Sequence, residues 1–213
     1  KLEPLATTLI SSINGILLLL DSSRSQGIDG FDSLKYLFFL ATLIFVSCGQ
    51  KKPDSPQDAP IGNRKSPIAI SSIKHENTYL KVVYGQPYRK GRTIFGEWEP
   101  YGQVWRTGAN EATEITVTEP VLMNMVVVDA GTYSLFTIPN KEKWTVILNN
   151  GLGQWGAFDY NEQLDAYRFD VPVQSLETPV EAFAISFSDL NGSSTVMTMS
   201  WDVVKIEIPI RFY

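Results

Sequence analysis

Apolar side chains recur at every second position through most of the chain beyond residue 66. In the run from Val204 to Ile210, for example, valine and isoleucine alternate with Lys205 and Glu207. A period of two places alternate residues on opposite faces of a β-strand, so that one face is buried and the other meets water. The pattern predicts roughly nine strands, at residues 79–84, 114–118, 121–128, 132–138, 144–148, 166–173, 183–187, 195–201 and 204–210.

Turn-forming residues separate these runs. The sequences at 129–131 and 149–151 each end in a glycine, and Asn191-Gly192 lies between two alternating runs, where it predicts a tight hairpin. No stretch has the 3.6-residue period of a long amphipathic helix, and only residues 102–111 leave room for a helical turn. The predicted fold class is all-β: an antiparallel β-sandwich or jelly roll of roughly nine strands, with Tyr133, Phe136 and Trp144 in its core.

A short apolar run near the start of the chain predicts export. Eleven uncharged, mostly large apolar residues, 36–46, follow Lys35, and Ser47 and Cys48 end the run. A helix that spans a membrane needs roughly 20 apolar residues, so this run is too short to span one. A positive residue, a short apolar stretch and a small residue before the cleavage point are the parts of an export signal. Residues 35–47 are therefore predicted to be a lipoprotein signal segment.

The last three residues of this segment together with Cys48, the sequence Phe45 to Cys48, resemble the lipobox of bacterial lipoproteins, although Phe45 stands where leucine is usual. The resemblance implies lipidation at Cys48, which would be the first residue of the mature chain. The expected location is then the bacterial cell envelope, with the lipid in the outer membrane. The alternative interpretation is a buried core segment with an ordinary free cysteine.

The remaining segments are defined by composition. Residues 48–65 are rich in lysine, proline and aspartate and nearly free of large apolar side chains, which predicts a disordered tether. Residues 1–34 contain a second apolar patch, and the first methionine of the chain is Met123. We expect residues 1–34 to be an upstream segment, either part of a fragment or translated from outside the native gene. Residues 66–213 are then one domain, large enough to bury a substantial core.

Charge and residue counts exclude several classes of function. From Cys48 onward the chain has 15 Lys and Arg against 19 Asp and Glu, a net charge of about −4 that argues against nucleic-acid binding. With the only cysteine assigned to lipid, a disulfide within the chain is excluded. The only histidine, His75, lies in a polar, turn-like stretch and is predicted to be a solvated loop residue. Catalytic triads and His-rich metal sites are therefore not expected, and we predict no metal, no cofactor and no catalytic residue.

Residues 151–156 spell the dinucleotide-binding pattern G-x-G-x-x-G directly after a predicted strand. That motif requires a following helix, whose N-terminus binds the pyrophosphate within a β-α-β unit. Here residues 158–161 lead into another strand-like run. The three glycines are therefore interpreted as turn residues.

Five motifs stand out along the chain: YGQP at 84–87, KGRTIFG at 90–96, PYGQVWRTGANEAT at 100–113, AGTYSLFTIP at 130–139 and WTVILN at 144–149. Together they resemble the bacterial family known as domain of unknown function 2911, over about residues 66–210. The resemblance implies an exported, often lipid-anchored protein of Bacteroidota-like bacteria, with no established activity.

The densest polar chemistry lies between residues 84 and 114, where arginines alternate with aromatic residues. Guanidinium groups match carboxylates, sulfates and phosphates, and aromatic faces suit sugar rings. This block predicts a site for a small anionic or glycan-like ligand. Alternatively, Arg106 pairs with Glu111 or Glu97 to hold a loop against the domain, with the tryptophans in the core. The candidate ligand-binding residues are Arg89, Lys90, Arg92, Trp105, Arg106, Asn110 and Glu111.

A second aromatic group, Trp155, Phe158 and Tyr160, falls in a turn-rich segment and is interpreted either as part of the core or as an exposed binding platform. Three functions therefore stay open. The first is a noncatalytic ligand-binding lipoprotein, and the second is a docking module for another envelope protein. The third is a hydrolase in which Glu111 or Glu114 works with a second carboxylate, Glu97 or Asp159.

Overall fold

The computed structural model describes residues 64–213, and the signal segment, Cys48 and most of the predicted tether lie outside them. In this range the chain contains nine strands, one 3-10 turn at Glu162–Leu164 and no α-helix. No helix in this range has the length and apolarity to cross a membrane. The strands are β1 (Ile68–His75), β2 (Thr78–Gly85), β3 (Thr113–Val117), β4 (Val121–Met123), β5 (Val126–Val128), β6 (Gly131–Ile138), β7 (Lys143–Asn149), β8 (Asp165–Phe187) and β9 (Ser194–Phe212).

The predicted all-β, antiparallel fold class is confirmed, and every strand pairs with its neighbours in antiparallel fashion. The strands hydrogen bond in the continuous order β1-β2-β3-β6-β7-β8-β9-β4-β5. The strand count agrees with the sequence prediction, but one predicted run is split, two pairs of runs are joined and one strand was missed. The run 121–128 forms two strands rather than one, because Asn124 and Met125 both have positive φ and form the turn between β4 and β5.

Two pairs of predicted strands are continuous in the structure. Runs 166–173 and 183–187 belong to β8, and runs 195–201 and 204–210 belong to β9.

The prediction missed β1, whose burial alternates only between half-buried and exposed positions. His75 is the last residue of β1 rather than a loop residue, and its ring lies 5.3 Å from that of Phe212. Residues 102–111 form turns and bends, not a helical turn.

The long strand β8 connects two groups of strands. Its first part, Asp165–Pro172, pairs with β7, and its later part, from Val173 to Phe187, pairs with β9. Register shifts between Ser175 and Ala184 interrupt this second pairing. Strand β9 has a matching irregularity at Asp202, a buried residue with φ of 52°. Val180 of β8 pairs with Asp202, so the two strands are irregular at the same point.

Of the two apolar clusters in residues 64–213, the smaller contains Phe136, and the larger joins the two groups of strands. The larger cluster contains buried residues from eight of the nine strands, and β1 adds half-buried Ala69 and Ile73. Its centre is aromatic: Trp105 and Trp201 stack with ring centroids 5.9 Å apart, and Trp144 meets Trp105 edge-on at 5.9 Å. Such pairs add to the free energy gained by burying the rings. The predicted core positions of Tyr133, Phe136 and Trp144 are confirmed, since all three are buried.

The loop after β7 contains the G-x-G-x-x-G sequence. It leads through turns and the 3-10 turn into β8, with no α-helix at its end. Gly153 and Gly156 have φ of 67° and 72°, a backbone conformation that favours glycine. The interpretation of these residues as turn glycines is confirmed.

Candidate functional site

Three loops meet at a cleft of about 410 Å³. Four basic side chains and one carboxylate, that of Glu99, line it, together with aromatic and small residues. We call it the cationic cleft. Its lining residues are Lys65, Ser66, Pro87, Tyr88, Lys90, Arg92, Trp98, Glu99, Arg106, Gly108, Ala109, Asn110 and Trp201.

The first loop, residues 86–92, is attached to the outer edge of β8. Arg89 N donates to Glu181 O at 2.7 Å, and Phe183 N donates to Pro87 O at 2.9 Å. Lys90 N donates to a carboxylate oxygen of Glu181 at 2.8 Å, which fixes the turn where Lys90 has positive φ. These bonds hold the backbone of the loop in place, and the exposed Lys90 side chain extends from this fixed backbone.

Arg92 closes this loop and supports a tryptophan. Its Nε donates to Arg89 O at 2.9 Å, and its Nη2 donates to Tyr88 O at 2.7 Å. The guanidinium carbon lies 4.0 Å from the centroid of the Trp98 ring, a cation–π contact. Two carbonyls thus fix the guanidinium, which lies over a ring that is 58% exposed.

The second loop, residues 94–99, turns tightly on itself. Trp98 N and Glu99 N both donate to Ile94 O at 2.9 Å, and Gly96 N donates to Glu99 O at 2.9 Å. Ile94 is fully buried, and its N–H donates to Asp202 Oδ2 at 3.1 Å. The loop is therefore anchored in the core at its start, and it presents Trp98 and Glu99 to the cleft.

Asp202 is also the partner of Arg89. Arg89 Nε lies 2.8 Å from Asp202 Oδ1, but the hydrogen on this Nε is donated to Arg92 O at 3.0 Å. The contact with Asp202 Oδ1 is therefore an attraction between charges rather than a directed hydrogen bond, and this oxygen receives none. We call the contacts of Asp202 with Arg89 and Ile94 the Asp202 junction. It joins the first two loops to the irregularity in β9.

The third loop, residues 106–112, crosses β2 at very short range. A Cβ atom on Gly85 would lie 2.0 Å from Ala109 O, so only glycine fits there. Thr107 and Asn110 have φ of 54° and 67°, which is uncommon for residues other than glycine. Buried hydrogen bonds stabilise this backbone: Thr113 Oγ1 donates to Thr107 O at 2.7 Å. Strained backbone of this kind is concentrated at binding and catalytic sites.

Arg106 begins this loop, and its guanidinium is incompletely bonded. Its Nε is buried and has no hydrogen-bond partner. Within the described range, no carboxylate lies within 4.0 Å of its guanidinium nitrogens, the limit for an ion pair. Buried polar groups are nearly always bonded, and an unbonded donor next to a cleft is suited to an incoming acceptor.

Glu99 faces the same space. Burial raises the pKa of this carboxyl group to about 7, and the positive charges of Arg106 and Arg92 only partly oppose the rise. Near neutral pH the group is therefore a mixture of the neutral acid and the carboxylate. A carboxyl group in this condition can donate as well as accept a hydrogen bond.

The structure brings together four of the seven predicted site residues: Lys90, Arg92, Arg106 and Asn110. The other three lie elsewhere. Arg89 faces Asp202, and Trp105 is a core residue with 3% of its surface exposed. Glu111 forms an ion pair with Arg64, not with Arg106. Binding by any of the seven stays a prediction.

Two charged lining residues, Lys65 and Glu99, were not among the predicted set. Lys65 had been assigned to the tether, and Glu99 carries no signal in its local sequence, since its burial comes from residues distant along the chain. The carboxylates considered for hydrolysis do not line the cleft. Glu114 accepts from Gly153 N at 3.3 Å on another surface, and Glu99 is the only carboxylate among the lining residues. In the part of the chain that is described, no cluster of three or more His, Cys, Asp or Glu residues could hold a metal ion.

A comparison with protein families finds one match, to the family described as "Protein of unknown function (DUF2911)", over residues 66–210. The matched range begins before β1, ends within β9 and includes all three loops of the cleft. No curated protein and no solved structure matches the chain.

Proposed function

We propose that this chain, which belongs to the DUF2911 family, binds a small anionic ligand in the cationic cleft without catalysing a reaction. The observation that carries the proposal is the buried, unbonded Nε of Arg106 beside three further basic side chains. An anionic oxygen would supply the missing acceptor and would offset the positive charge.

The surroundings of Arg106 support a binding role over a purely structural one. A structural arginine is normally satisfied by carbonyls or a carboxylate, as Arg92 and Arg89 are. Arg106 instead borders open space, with Lys65 and Lys90 on the same cleft. Because the loop backbones are fixed by hydrogen bonds, little ordering is needed when a ligand binds, which favours affinity.

Titration calorimetry with sulfate and with acetate at low ionic strength tests this proposal. The variant Arg106→Gln should weaken binding of both anions by about 10- to 100-fold, because a hydrogen bond to a charged group contributes about 1.5 to 3 kcal/mol. The matched control is Arg211→Gln, which removes an exposed arginine outside the cleft. Equal affinity of the Arg106 variant and the original chain would contradict the proposal.

We further propose that the domain is exported and held in the envelope by lipid on Cys48. The support is the sequence around residues 35–48, which combines a positive residue, a short apolar run and a small residue before the cysteine. Expression in a bacterial host with a labelled fatty acid should give a labelled protein in the membrane fraction. The variant Cys48→Ala should lose the label, and retention of the label would reject lipidation at this residue.

An exposed aromatic surface favours a second candidate function, docking to another envelope protein. In the loop after β7, Phe158 is 84% exposed, and Leu152 and Trp155 of the same loop are also exposed. Large apolar side chains grouped on a surface commonly mark an interaction site. A photo-crosslinking residue at position 158 should capture one discrete protein in the envelope. The same residue at exposed position 125, on the β4–β5 turn, should not. Identical products at both positions would argue against docking through Phe158.

A further inference from the structure

The exposed ring of Trp98 is an unusual feature of the cleft. Tryptophan is rarely left on a surface unless its ring has a partner, and here Arg92 covers one face at 4.0 Å. The ring is nevertheless 58% exposed, so much of its surface is open to solvent at the edge of the cleft. The two carbonyl bonds of Arg92 hold the guanidinium that lies over this ring. The cleft thus contains a flat, apolar surface.

The cleft also contains polar groups that a simple inorganic anion would not use. Glu99 has no hydrogen bond or ion pair from its side chain to the rest of residues 64–213, and its charge would repel a small anion. Asn110 uses one amide hydrogen to reach Ser66 O at 3.4 Å, which leaves its side-chain oxygen as an acceptor. Carboxyl and amide groups beside an aromatic face are suited to hydroxyl groups arranged around an apolar ring.

The size of the site agrees with a ligand larger than a single ion. Clefts for small molecules measure roughly 300 to 1,000 Å³, and this one measures about 410 Å³. A sulfate or an acetate would leave most of that volume empty, whereas one or two sugar rings would occupy it.

We propose that the ligand is a sugar acid, whose carboxylate binds Arg106 and whose ring packs on the open surface of Trp98 while its hydroxyl groups bond to Glu99 and Asn110. This inference rests on the proposed function, because it assigns a chemical class to the anion at the same site. A carboxylate is planar and can accept two parallel bonds from the Nε and Nη groups of one guanidinium.

The condition of Glu99 agrees with this assignment. Burial keeps part of the population neutral near neutral pH, since the pKa of Glu99 is raised to about 7. The neutral acid does not repel a ligand carboxylate, and it can donate its proton in a hydrogen bond to a hydroxyl oxygen. The groups that face Glu99 in the cleft are basic: Arg106 and Arg92 lower its pKa, while Lys90 and Lys65 line the same space.

Calorimetry on the 213-residue chain with three probes tests the inference. Glucuronate has both the ring and the charge, methyl glucoside has the ring without the charge, and acetate has the charge without the ring. Glucuronate should bind about tenfold more tightly than either of the others. The variant Trp98→Ala should lose most of that advantage, with a drop of about tenfold for glucuronate and little change for acetate.

The matched control is Tyr213→Ala, which removes another exposed aromatic side chain that does not line the cleft and should change no affinity. Thermal unfolding of each variant checks that the fold is kept. If glucuronate binds no more tightly than acetate, or if Trp98→Ala leaves its affinity unchanged, the sugar-acid assignment is overturned while anion binding stands. If neither acetate nor glucuronate binds, both proposals are overturned.

Discussion

The Asp202 junction and the cationic cleft use the same kinds of side chain in opposite ways. At the junction, buried Asp202 accepts a hydrogen bond from Ile94 N and forms an ion pair with Arg89. In the cleft, Arg106 and Glu99 face the same space without forming an ion pair within 4.0 Å, and each keeps unused bonding capacity. Three of these four side chains, those of Arg89, Glu99 and Arg106, come from a single block of 18 consecutive residues. The junction therefore is expected to contribute stability, and the cleft is expected to contribute binding.

The largest effect should come from Asp202→Ala. This variant removes the acceptor of Ile94 N, leaves Arg89 without its partner, and places alanine at a φ of 52°. Loss of one partner from a largely buried pair costs about 3 kcal/mol or more, and alanine in the left-handed region adds about 1 kcal/mol. Urea unfolding monitored by tryptophan fluorescence should show this loss. Asp202→Asn, which tolerates the backbone conformation, should lose less, and a neutral result for Asp202→Ala would mean that the junction does not hold the loops.

The second prediction concerns pH and the cleft. Because the pKa of Glu99 is raised from its ordinary value of 4.5 to about 7, the folded protein binds this proton more tightly than the unfolded chain does. The contribution of Glu99 to the free energy of unfolding should therefore be greatest below pH 4.5. It should fall by up to about 3 kcal/mol as the pH rises from about 4.5 through 7. Urea unfolding at pH 5 and pH 8 measures the difference. Glu99→Gln should remove this component, and an unchanged pH dependence in that variant would contradict the prediction.

The third prediction compares the two arginines directly. Arg89→Gln should lower the free energy of unfolding by about 3 kcal/mol, because it leaves the buried Asp202 carboxylate without its opposite charge. Arg106→Gln should change it by less than about 0.5 kcal/mol, since no partner is left unpaired. The same urea assay serves both variants. Equal losses for the two would show that Arg106 is as structural as Arg89.

The smallest effect should come from Lys90→Ala. The Lys90 side chain is exposed, and the bond to Glu181 uses its backbone N–H, which alanine retains. Stability should therefore stay within about 0.5 kcal/mol, while acetate affinity should fall by about two- to fivefold, as expected for a solvated charge near an anion. Calorimetry at low and high salt should show that this contribution is screened. A stability loss comparable with that of Arg89→Gln would place Lys90 in the structural group.

Much of the fold could be predicted from the alternation of apolar residues. Strands such as β3 and β7 have one face fully buried, so their pattern is strong. The prediction missed β1 because its inner positions are only half buried, and alternation weakens when burial is partial. It divided β9 at Asp202, since a polar residue interrupts the apolar pattern while the hydrogen bonding to neighbouring strands continues beyond it.

The site could be predicted only in part. Arginine and lysine residues close together in sequence indicated the region, and four of the seven named residues do line one cleft. Composition could not distinguish Arg89, which has a buried partner, from Arg106, which lacks one. The partner of Arg89, Asp202, is more than one hundred residues away in sequence. For the same reason, nothing near Glu99 indicated that distant residues would bury it.

The 23-residue length of β8 also has a consequence for how the domain unfolds. Because one continuous strand pairs with β7 at its start and with β9 at its end, neither group of strands can separate without disturbing an element that the other needs. Slow amide hydrogen exchange should therefore reach a common limiting rate in β7 and in the central part of β9, as expected for one cooperative unit that opens globally. The short β4–β5 hairpin lies at the end of the strand order and should exchange earlier, through local fraying.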